Sequence, residues 1–72
     1  MILLNIIIEY KLYELRIQKG YTIRELSNLS GVSKTLINNI ENNTANPTIF
    51  TLCQLAVALN VNPEDLYNLH IL

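Results

Sequence analysis

The sequence contains few of the residues from which catalytic, metal or disulfide sites are built. Its 72 residues include one cysteine (Cys53), one histidine (His70), two glycines, two prolines and no tryptophan. One cysteine excludes an internal disulfide, and this pair of residues is too small a set for a zinc site. The chain also has no glycine-rich phosphate loop, and it is too short for a substrate-sized pocket. We therefore expect no enzyme, metal, cofactor or small-molecule ligand, and a reducing cytoplasmic setting.

Positive charge is scarce as well. Five Lys and Arg residues face six Asp and Glu residues, so the net charge is −1, and the pI is about 5.6. Domains that bind nucleic acid are usually basic. The overall charge therefore counts against a nucleic-acid partner, although the charge on a single face of the domain could still favour one.

The one long apolar run, residues 1–8, is too short to cross a bilayer. No Lys or Arg precedes the run and no small-residue cleavage site follows it, so we expect neither a membrane span nor a signal peptide. Two interpretations remain open: the run extends a first helix into the core, or it forms a short strand that pairs with another chain. Because such a run is poorly suited to water, we treat residues 1–8 as a candidate dimer contact and residues 9–72 as the domain.

Apolar residues recur at helical spacing along the chain, and this predicts an all-α fold of five short helices. The first helix is expected to end at Gly20. Thr22 and Glu25 have the spacing of a capping box, the strongest helix-start signal in the sequence. The predicted inner faces of these two helices carry Ile8, Leu12 and Leu15, then Ile23, Leu26 and Leu29.

Polar caps also mark the predicted starts of the other three helices. Ser33, Thr48 and Asn62 are suitable N-caps, and Pro63 favours the first position of a helix. An asparagine-rich loop separates the third helix from the fourth. The predicted buried residues are Leu36, Ile37 and Ile40 in the third helix, Leu52, Leu55, Ala56 and Leu59 in the fourth, and Leu66, Tyr67 and Leu69 in the fifth.

Residues 22–41 combine two short helices with a tight turn. Ser27 is small enough for the helix backbones to approach, and Gly31, four residues later, accepts the positive φ that the turn requires. Three apolar residues are placed to hold the second helix against the first: Val32, Ile37 and Ile40. This joint spacing predicts a helix-turn-helix formed by helices 2 and 3.

At these positions the chain resembles the lambda-repressor/Cro-like helix-turn-helix family, often called the XRE family. The resemblance covers residues 10–67 and implies five helices, with helix 3 in the major groove of double-stranded DNA and helix 2 crossing the backbone. It also implies transcriptional control, usually repression, by homodimers on inverted repeats. The residues that carry it are Leu15-Arg16, Gly20-Tyr21-Thr22, Glu25-Leu26-Ser27, Gly31-Val32-Ser33, Ile37, Ile40-Glu41, Asn46-Pro47, Leu55-Ala56 and Ala58-Leu59.

The resemblance assigns roles to individual residues. It implies that four side chains of helix 3 face base edges: Lys34, Thr35, Asn38 and Asn39. It implies phosphate contacts for a second set, with the two cations near enough to help: Thr22, Ser33, Asn42, Asn43 and Thr44, with Lys19 and Arg24. Lysine, asparagine and threonine can each read a base edge. The family position of Glu41 pairs with an arginine of helix 1, here Arg16, so we expect a structural ion pair there.

Two features depart from the family pattern. Ile23 stands where many members have a glutamine that touches phosphate, and Lys34 is the only cation of the predicted recognition helix. Both departures favour an alternative, in which the scaffold is a protein-interaction module (an antitoxin or antirepressor) with weak DNA affinity. The polar face of helix 3 argues against this alternative, because a surface used only for protein contact should be more apolar. In either case we expect a regulatory protein partner or a homodimer, the latter formed by the N-terminal run, by residues 67–72, or by both.

Overall fold

The computed structural model describes residues 5–72. They form four α-helices, one turn of 3₁₀ helix and a two-stranded antiparallel sheet. In chain order the elements are β1 (Ile6–Tyr10), α1 (Leu12–Lys19), α2 (Ile23–Ser30), α3 (Lys34–Glu41), α4 (Ile49–Leu59), the 3₁₀ turn (Pro63–Leu66) and β2 (Tyr67–Ile71). The prediction of an all-α fold with five helices is therefore wrong, because the residues at both ends of the described chain form a sheet.

The helices begin and end where their capping residues lie. Thr22, Ser33 and Thr48 are N-caps whose hydroxyl oxygens each accept a hydrogen bond from a backbone N–H three residues later. Gly20 and Gly31 end α1 and α2 in the left-handed conformation. These polar caps satisfy backbone groups that the helices leave unpaired, and so they fix the bounds of each helix.

One core lies at the centre of the helices. Leu26, Ile37 and Leu55, from three different helices, have essentially no exposed surface. The other members of the core are Tyr10, Leu12, Val32, Ile40, Leu52, Ala56, Leu59 and Leu66. Leu29, expected to face inward, instead has 57% of its surface exposed. Only two turns of α2 are available, and Leu26 alone is buried within them.

The predicted fifth helix stops after a single turn. The Asn62 N–H donates to Asp65 Oδ2 at 3.0 Å and Pro63 occupies the first position, so a helix does start where the sequence predicts it. After Leu66, however, residues 67–71 alternate between apolar and polar side chains, which is the period of a strand rather than a helix. A partner strand, rich in β-branched isoleucine, is available at the other end of the chain, and pairing with it outweighs extension of the helix.

The first helix starts later than predicted. α1 begins at Leu12, and Ile8 belongs to β1 rather than to its inner face. The strand interpretation of the N-terminal run is therefore correct for residues 6–8, although the partner is β2 of the same chain. Residues 1–4 of that run lie outside the described residues.

The sheet extends from one end of the helical body. Its register pairs Ile6 with Ile71, Ile8 with Leu69, and Tyr10 with Tyr67. Tyr10 is buried against the core, and the Lys11 N–H donates to the Leu66 carbonyl at 2.8 Å, which anchors the base of the sheet. The described chain measures 46 × 21 × 19 Å, an elongated shape for so small a domain.

Candidate nucleic-acid interface

The interface starts at the N-terminus of α2. The Glu25 N–H donates to Thr22 Oγ1 and the Thr22 N–H donates to Glu25 Oε1, both at 3.0 Å. Thr22 and Arg24 are exposed beside this capping box. Because Thr22 Oγ1 acts only as an acceptor in these bonds, its own hydroxyl proton stays available to an anion. Lys19, in the last turn of α1, is exposed three residues before Thr22.

Side-chain hydrogen bonds shape the turn between α2 and α3. Gly31 has φ +77°, a conformation that residues with a Cβ seldom adopt. The Ser27 hydroxyl donates to the Val32 carbonyl at 2.6 Å, and the Val32 N–H donates to Ser30 Oγ at 3.1 Å. The Val32 side chain is buried. Ser27 therefore contributes a hydrogen bond across the turn as well as a small volume, and α3 leaves the turn in a fixed direction.

The face of α3 opposite the core is polar. Ile37 and Ile40 are buried and Leu36 is half-buried, whereas Lys34, Thr35 and Asn38 are exposed. At about 100° per residue, Asn38 and Thr35 lie near the middle of the outer face, with Lys34 and the half-buried Asn39 at its two sides. The structure thus brings the four residues of the expected base-reading set onto one surface of one helix.

The N-terminus of α3 also presents hydrogen-bond donors. Ser33 Oγ accepts the Leu36 N–H at 3.1 Å, which leaves the serine hydroxyl proton free to donate. The first backbone N–H groups of a helix have no acceptor within it, and the positive end of the helix dipole lies there. Ser33, Lys34 and Thr35 are all exposed at this end, so the start of α3 is suited to an anion.

The loop after α3 has fewer free donors than the sequence indicated. The N–H groups of Asn42, Asn43 and Thr44 donate to the carbonyls of Asn38, Ile40 and Asn39 at 3.0, 3.1 and 2.9 Å. The Thr44 hydroxyl also donates to the Asn39 carbonyl, at 3.1 Å. These bonds close the C-terminus of α3. Of the expected phosphate contacts in this loop, the amide side chains of Asn42 and Asn43 remain exposed as donors.

A buried ion pair holds α3 against α1. Arg16 Nε lies 2.7 Å from Glu41 Oε2 and Arg16 Nη2 lies 2.9 Å from Glu41 Oε1, a bidentate arrangement. Arg16 Nη1 also donates to the Tyr21 carbonyl at 2.9 Å. The hydrogen bond to Glu41 raises the pKa of Arg16 above its ordinary value, although burial acts in the opposite direction. Arg16 therefore braces the end of α3, and its guanidinium is not exposed to a ligand.

Charge is unevenly distributed along the chain. Between residues 19 and 40 there are three cations, Lys19, Arg24 and Lys34, and one acid, Glu25, whose carboxylate is engaged in the capping box. This segment is therefore net positive by two, while the whole chain has a net charge of −1. Two acids lie in the 3₁₀ turn instead. The charge of residues 19–40 thus suits a polyanion even though the overall pI does not, and the next residue, Glu41, is paired with Arg16.

Two supporting contacts were not predicted from the sequence. Gln54 Nε2 donates to the Ser30 carbonyl at 3.4 Å and links α4 to the turn. The Tyr10 hydroxyl donates to Asn46 Oδ1 at 3.1 Å and links β1 to the loop after α3. A third contact, the bond from the Val32 N–H to Ser30 Oγ, does have a local signal, because a serine two residues before its partner suits a serine turn. The other contacts join distant parts of the chain and have no local signature.

Residues 5–72 lack the features of two other kinds of site. None of the helices there has both the length and the apolar character needed to cross a bilayer. In the same part of the chain, no three side chains among His, Cys, Asp and Glu come together as metal ligands.

Comparison with known proteins places this geometry among helix-turn-helix proteins. The family model described as helix-turn-helix (HTH_3) matches residues 12–66. The HTH-type transcriptional regulator SutR of Escherichia coli is 42% identical over 50 residues, which are 69% of this chain and 28% of that protein. The chain thus corresponds to little more than a quarter of that relative.

Two solved structures have the same arrangement of helices. The restriction-modification controller protein C.AhdI of Aeromonas hydrophila superposes with a TM-score of 0.72 at 31% identity, over 75% of this chain and 82% of that one. The N-terminal DNA-binding domain of SinR of Bacillus subtilis gives a TM-score of 0.71 at 33% identity, over 75% and 80% of the two chains. The chain belongs to the HTH_3 helix-turn-helix family, the XRE-type family that its capped α2, glycine turn and polar α3 resemble.

Proposed function

We propose that this protein is a DNA-binding transcriptional regulator, and specifically a repressor that binds an inverted repeat as a homodimer. The observation that carries the proposal is the polar outer face of α3, held out from the core by the glycine turn and by the Arg16–Glu41 pair. The similar proteins are named as regulators or as DNA-binding domains, and none of them is named as an enzyme. Repression follows if the bound dimer covers a promoter.

Base recognition is assigned to the outer face of α3 lying in the major groove. Asn38, near the middle of that face, can pair with the N6 and N7 atoms of adenine, and Thr35 offers a hydroxyl and a methyl group to thymine. Lys34 can donate to the O6 and N7 atoms of guanine. Asn39 is half-buried, so it reaches a base edge only from the side of the face.

Phosphate contacts are assigned to both flanks of α3. The hydroxyl protons of Thr22 and Ser33 are free to donate to phosphate oxygens, and Lys19 and Arg24 lie in the same part of the chain. Beyond α3, the exposed amides of Asn42 and Asn43 can also donate. Thr44 is the weakest member of the expected set, because its hydroxyl and its N–H are already bonded to the Asn39 carbonyl.

Selection of binding sites from a random DNA library, at about 100 mM salt, tests this proposal. We expect enrichment of an inverted repeat whose half-sites are about one helical turn apart, since two-fold dimers of this fold read such sites. The matched control is Asn38→Ala, which keeps the net charge. It should weaken the preference for one base at one position of each selected half-site. A folded wild-type protein that enriches no sequence contradicts the proposal.

A second candidate function is the protein-interaction module. Leu29 of α2 and Phe50 and Val57 of α4 line one apolar patch, and their exposed fractions are 57%, 73% and 82%. Large contiguous apolar surfaces are uncommon on monomers and often mark a protein contact. In this case Val57→Glu should abolish capture of a protein partner by the immobilised chain, whereas Asn38→Ala should leave that capture intact. DNA selection that succeeds with the Val57→Glu variant shows that DNA binding does not depend on this patch.

A further inference from the structure

The two faces of the sheet differ sharply in chemistry. Because paired residues of an antiparallel sheet share a face, the register places all the odd-numbered residues of β2 and all the even-numbered residues of β1 on one side. That side, which we call the apolar sheet face, consists of Ile6, Ile8, Tyr10, Tyr67, Leu69 and Ile71. The other side carries Glu9, Asn68 and His70 with Ile7. Glu9 Oε1 lies 3.3 Å from Asn68 Nδ2 and 3.8 Å from His70 Nε2.

The apolar sheet face becomes more exposed to solvent toward the tip of the sheet, away from the helices. Along β1 the exposed fraction rises from 8% at Tyr10 to 40% at Ile8 and 55% at Ile6. On β2 it reaches 52% at Leu69 and 63% at Ile71. The strand pairing nevertheless continues outward, since the Leu72 N–H donates to the Asn5 carbonyl at 2.8 Å. Within residues 5–72 no further layer covers this part of the sheet, and a two-stranded sheet alone is only marginally stable in water, so this face is suited to a contact.

The apolar sheet face forms one wall of a groove. The opposite wall consists of Pro47 in the loop after α3 and of Ile49 and Leu52 at the start of α4, and the groove has a volume of about 240 Å³. Ile49 has 74% of its surface exposed. The groove lining contains no charged side chain. An occupant must therefore be apolar, and it gains nothing from charge complementarity.

The groove lies next to the end of α3. Pro47 follows Glu41, the last residue of α3, by six residues, and the Tyr10–Asn46 hydrogen bond ties the sheet to the same loop. A two-fold axis at this groove would join two copies through the same surface, and two-fold symmetry is what the reading of an inverted repeat by two copies requires.

We propose that the apolar sheet face and the start of α4 form a homodimer interface whose occupant is the same surface of a second copy of this chain. The inference rests on the proposed function for its two-fold symmetry. An isologous interface must be complementary to itself, and an uncharged apolar surface meets that condition more simply than a charged one. Both strands lie outside residues 12–66, the part of the chain that the family model matches.

The size of the surface agrees with a dimer of moderate affinity. Ile6, Ile8, Ile49, Leu69 and Ile71 together expose roughly 500 Å² of surface, the size of the largest apolar patch on a typical monomer, which is often functional. A standard interface takes about 800 Å² from each partner, and a polar rim supplies part of that area. The apolar sheet face thus provides the central part of such an interface.

The test is the mass of the protein in solution without DNA, measured by light scattering or sedimentation over a range of concentrations. We expect the wild type to approach twice its monomer mass of 8.2 kDa as concentration rises. Ile71→Glu and Ile8→Glu place a charge on the apolar sheet face and should shift the dissociation constant upward at least tenfold. The matched control is Ile7→Glu, on the opposite face of the sheet and 50% exposed, which should leave the dissociation constant of the dimer unchanged.

The possible results separate this interface from the proposed function. A wild type that stays monomeric, or an Ile7→Glu variant that dissociates as readily as Ile71→Glu, overturns the interface. A dimer broken by Val57→Glu but not by Ile71→Glu assigns the contact to the patch of Leu29, Phe50 and Val57 instead. Circular dichroism checks that each variant is folded. A dimer that selects no DNA sequence overturns only the proposed function, and a monomer that selects half-sites overturns the interface and the homodimer but leaves DNA reading by α3 intact.

Discussion

At the scale of single residues, Asn38 and Arg24 separate two kinds of proposed DNA contact. Asn38 lies near the middle of the outer face of α3, and Arg24 is exposed near the start of α2. Asn38→Ala should weaken binding to the selected site by about 1–3 kcal/mol and should affect unrelated DNA much less. Arg24→Ala should weaken binding to all sequences and should reduce the salt dependence by about one unit per protomer.

Titrations of both variants with the selected site and with an unrelated duplex, at several salt concentrations, distinguish the two roles. Thr51→Ala, on α4 away from α3, is a suitable neutral control once its folding is verified. Equal losses for Asn38→Ala on both duplexes would remove this residue from base recognition.

The Arg16–Glu41 pair is predicted to act on stability. Its side chains are 9% and 6% exposed, so removal of one partner leaves a buried charge without its counterion. We expect Arg16→Ala to lower the free energy of unfolding by about 3–5 kcal/mol, a large share of the stability of a domain this small. Urea denaturation measures this loss.

The double variant Arg16→Met with Glu41→Leu is the matched control for that measurement. It removes both charges and keeps the apolar volume, so it should be less destabilised than Arg16→Ala. Identical midpoints for Arg16→Ala and the wild type would contradict the bracing role of the pair.

At the scale of elements, Gly31 decides how α2 turns into α3. A Cβ at this position would meet Gln54 Nε2 at 3.7 Å, an ordinary contact, so the obstacle to substitution is the φ of +77°. Gly31→Ala should therefore lower stability by about 1–2 kcal/mol, and Gly31→Asn by less, because asparagine tolerates the left-handed region better. Thermal or urea denaturation of the two variants checks the order. An alanine variant as stable as the asparagine variant would show that backbone strain does not dominate here.

The sequence was informative where local chemistry decides the structure. The capping box at Thr22, the glycine turn and the caps at Ser33 and Thr48 depend on residues only a few positions apart, and α2, α3 and α4 start where these residues predict. The polar face of α3 follows from the same spacing. Its DNA-contacting roles stay predictions.

The sheet could not be derived in the same way. Its strands are formed by residues 6–10 and 67–71, so their pairing depends on how the helices bring the two ends of the described chain together. The alternation from Tyr67 to Ile71 was a usable signal, but the helix start at Asn62-Pro63 competed with it. The exposure of Leu29 was missed for a related reason, because helical spacing alone does not show how wide the buried face is.

At the scale of the whole molecule, the small number of cations limits the electrostatic part of DNA binding. Lys19, Arg24 and Lys34 are the cations placed near α2 and α3. A dimer in which two or three of these residues per protomer contact phosphate should neutralise about five phosphates, which gives a slope of about −4 to −5 for log K against log salt. Binding measured between about 50 and 200 mM salt gives this slope. A value near −10 would require cations beyond those assigned here.

The pairing of the two strands also bears on the order in which the protein folds. Ile8 and Leu69 are about 60 residues apart in sequence, so closing the sheet carries the largest loop-closure entropy in the described chain, whereas the α2–α3 contacts are local. The helices should therefore form first and the sheet should close late. Substitutions at the sheet tip should then speed unfolding while leaving the folding rate almost unchanged. We therefore expect the sheet to form after the rate-limiting step of folding, when α1 to α4 have already packed together.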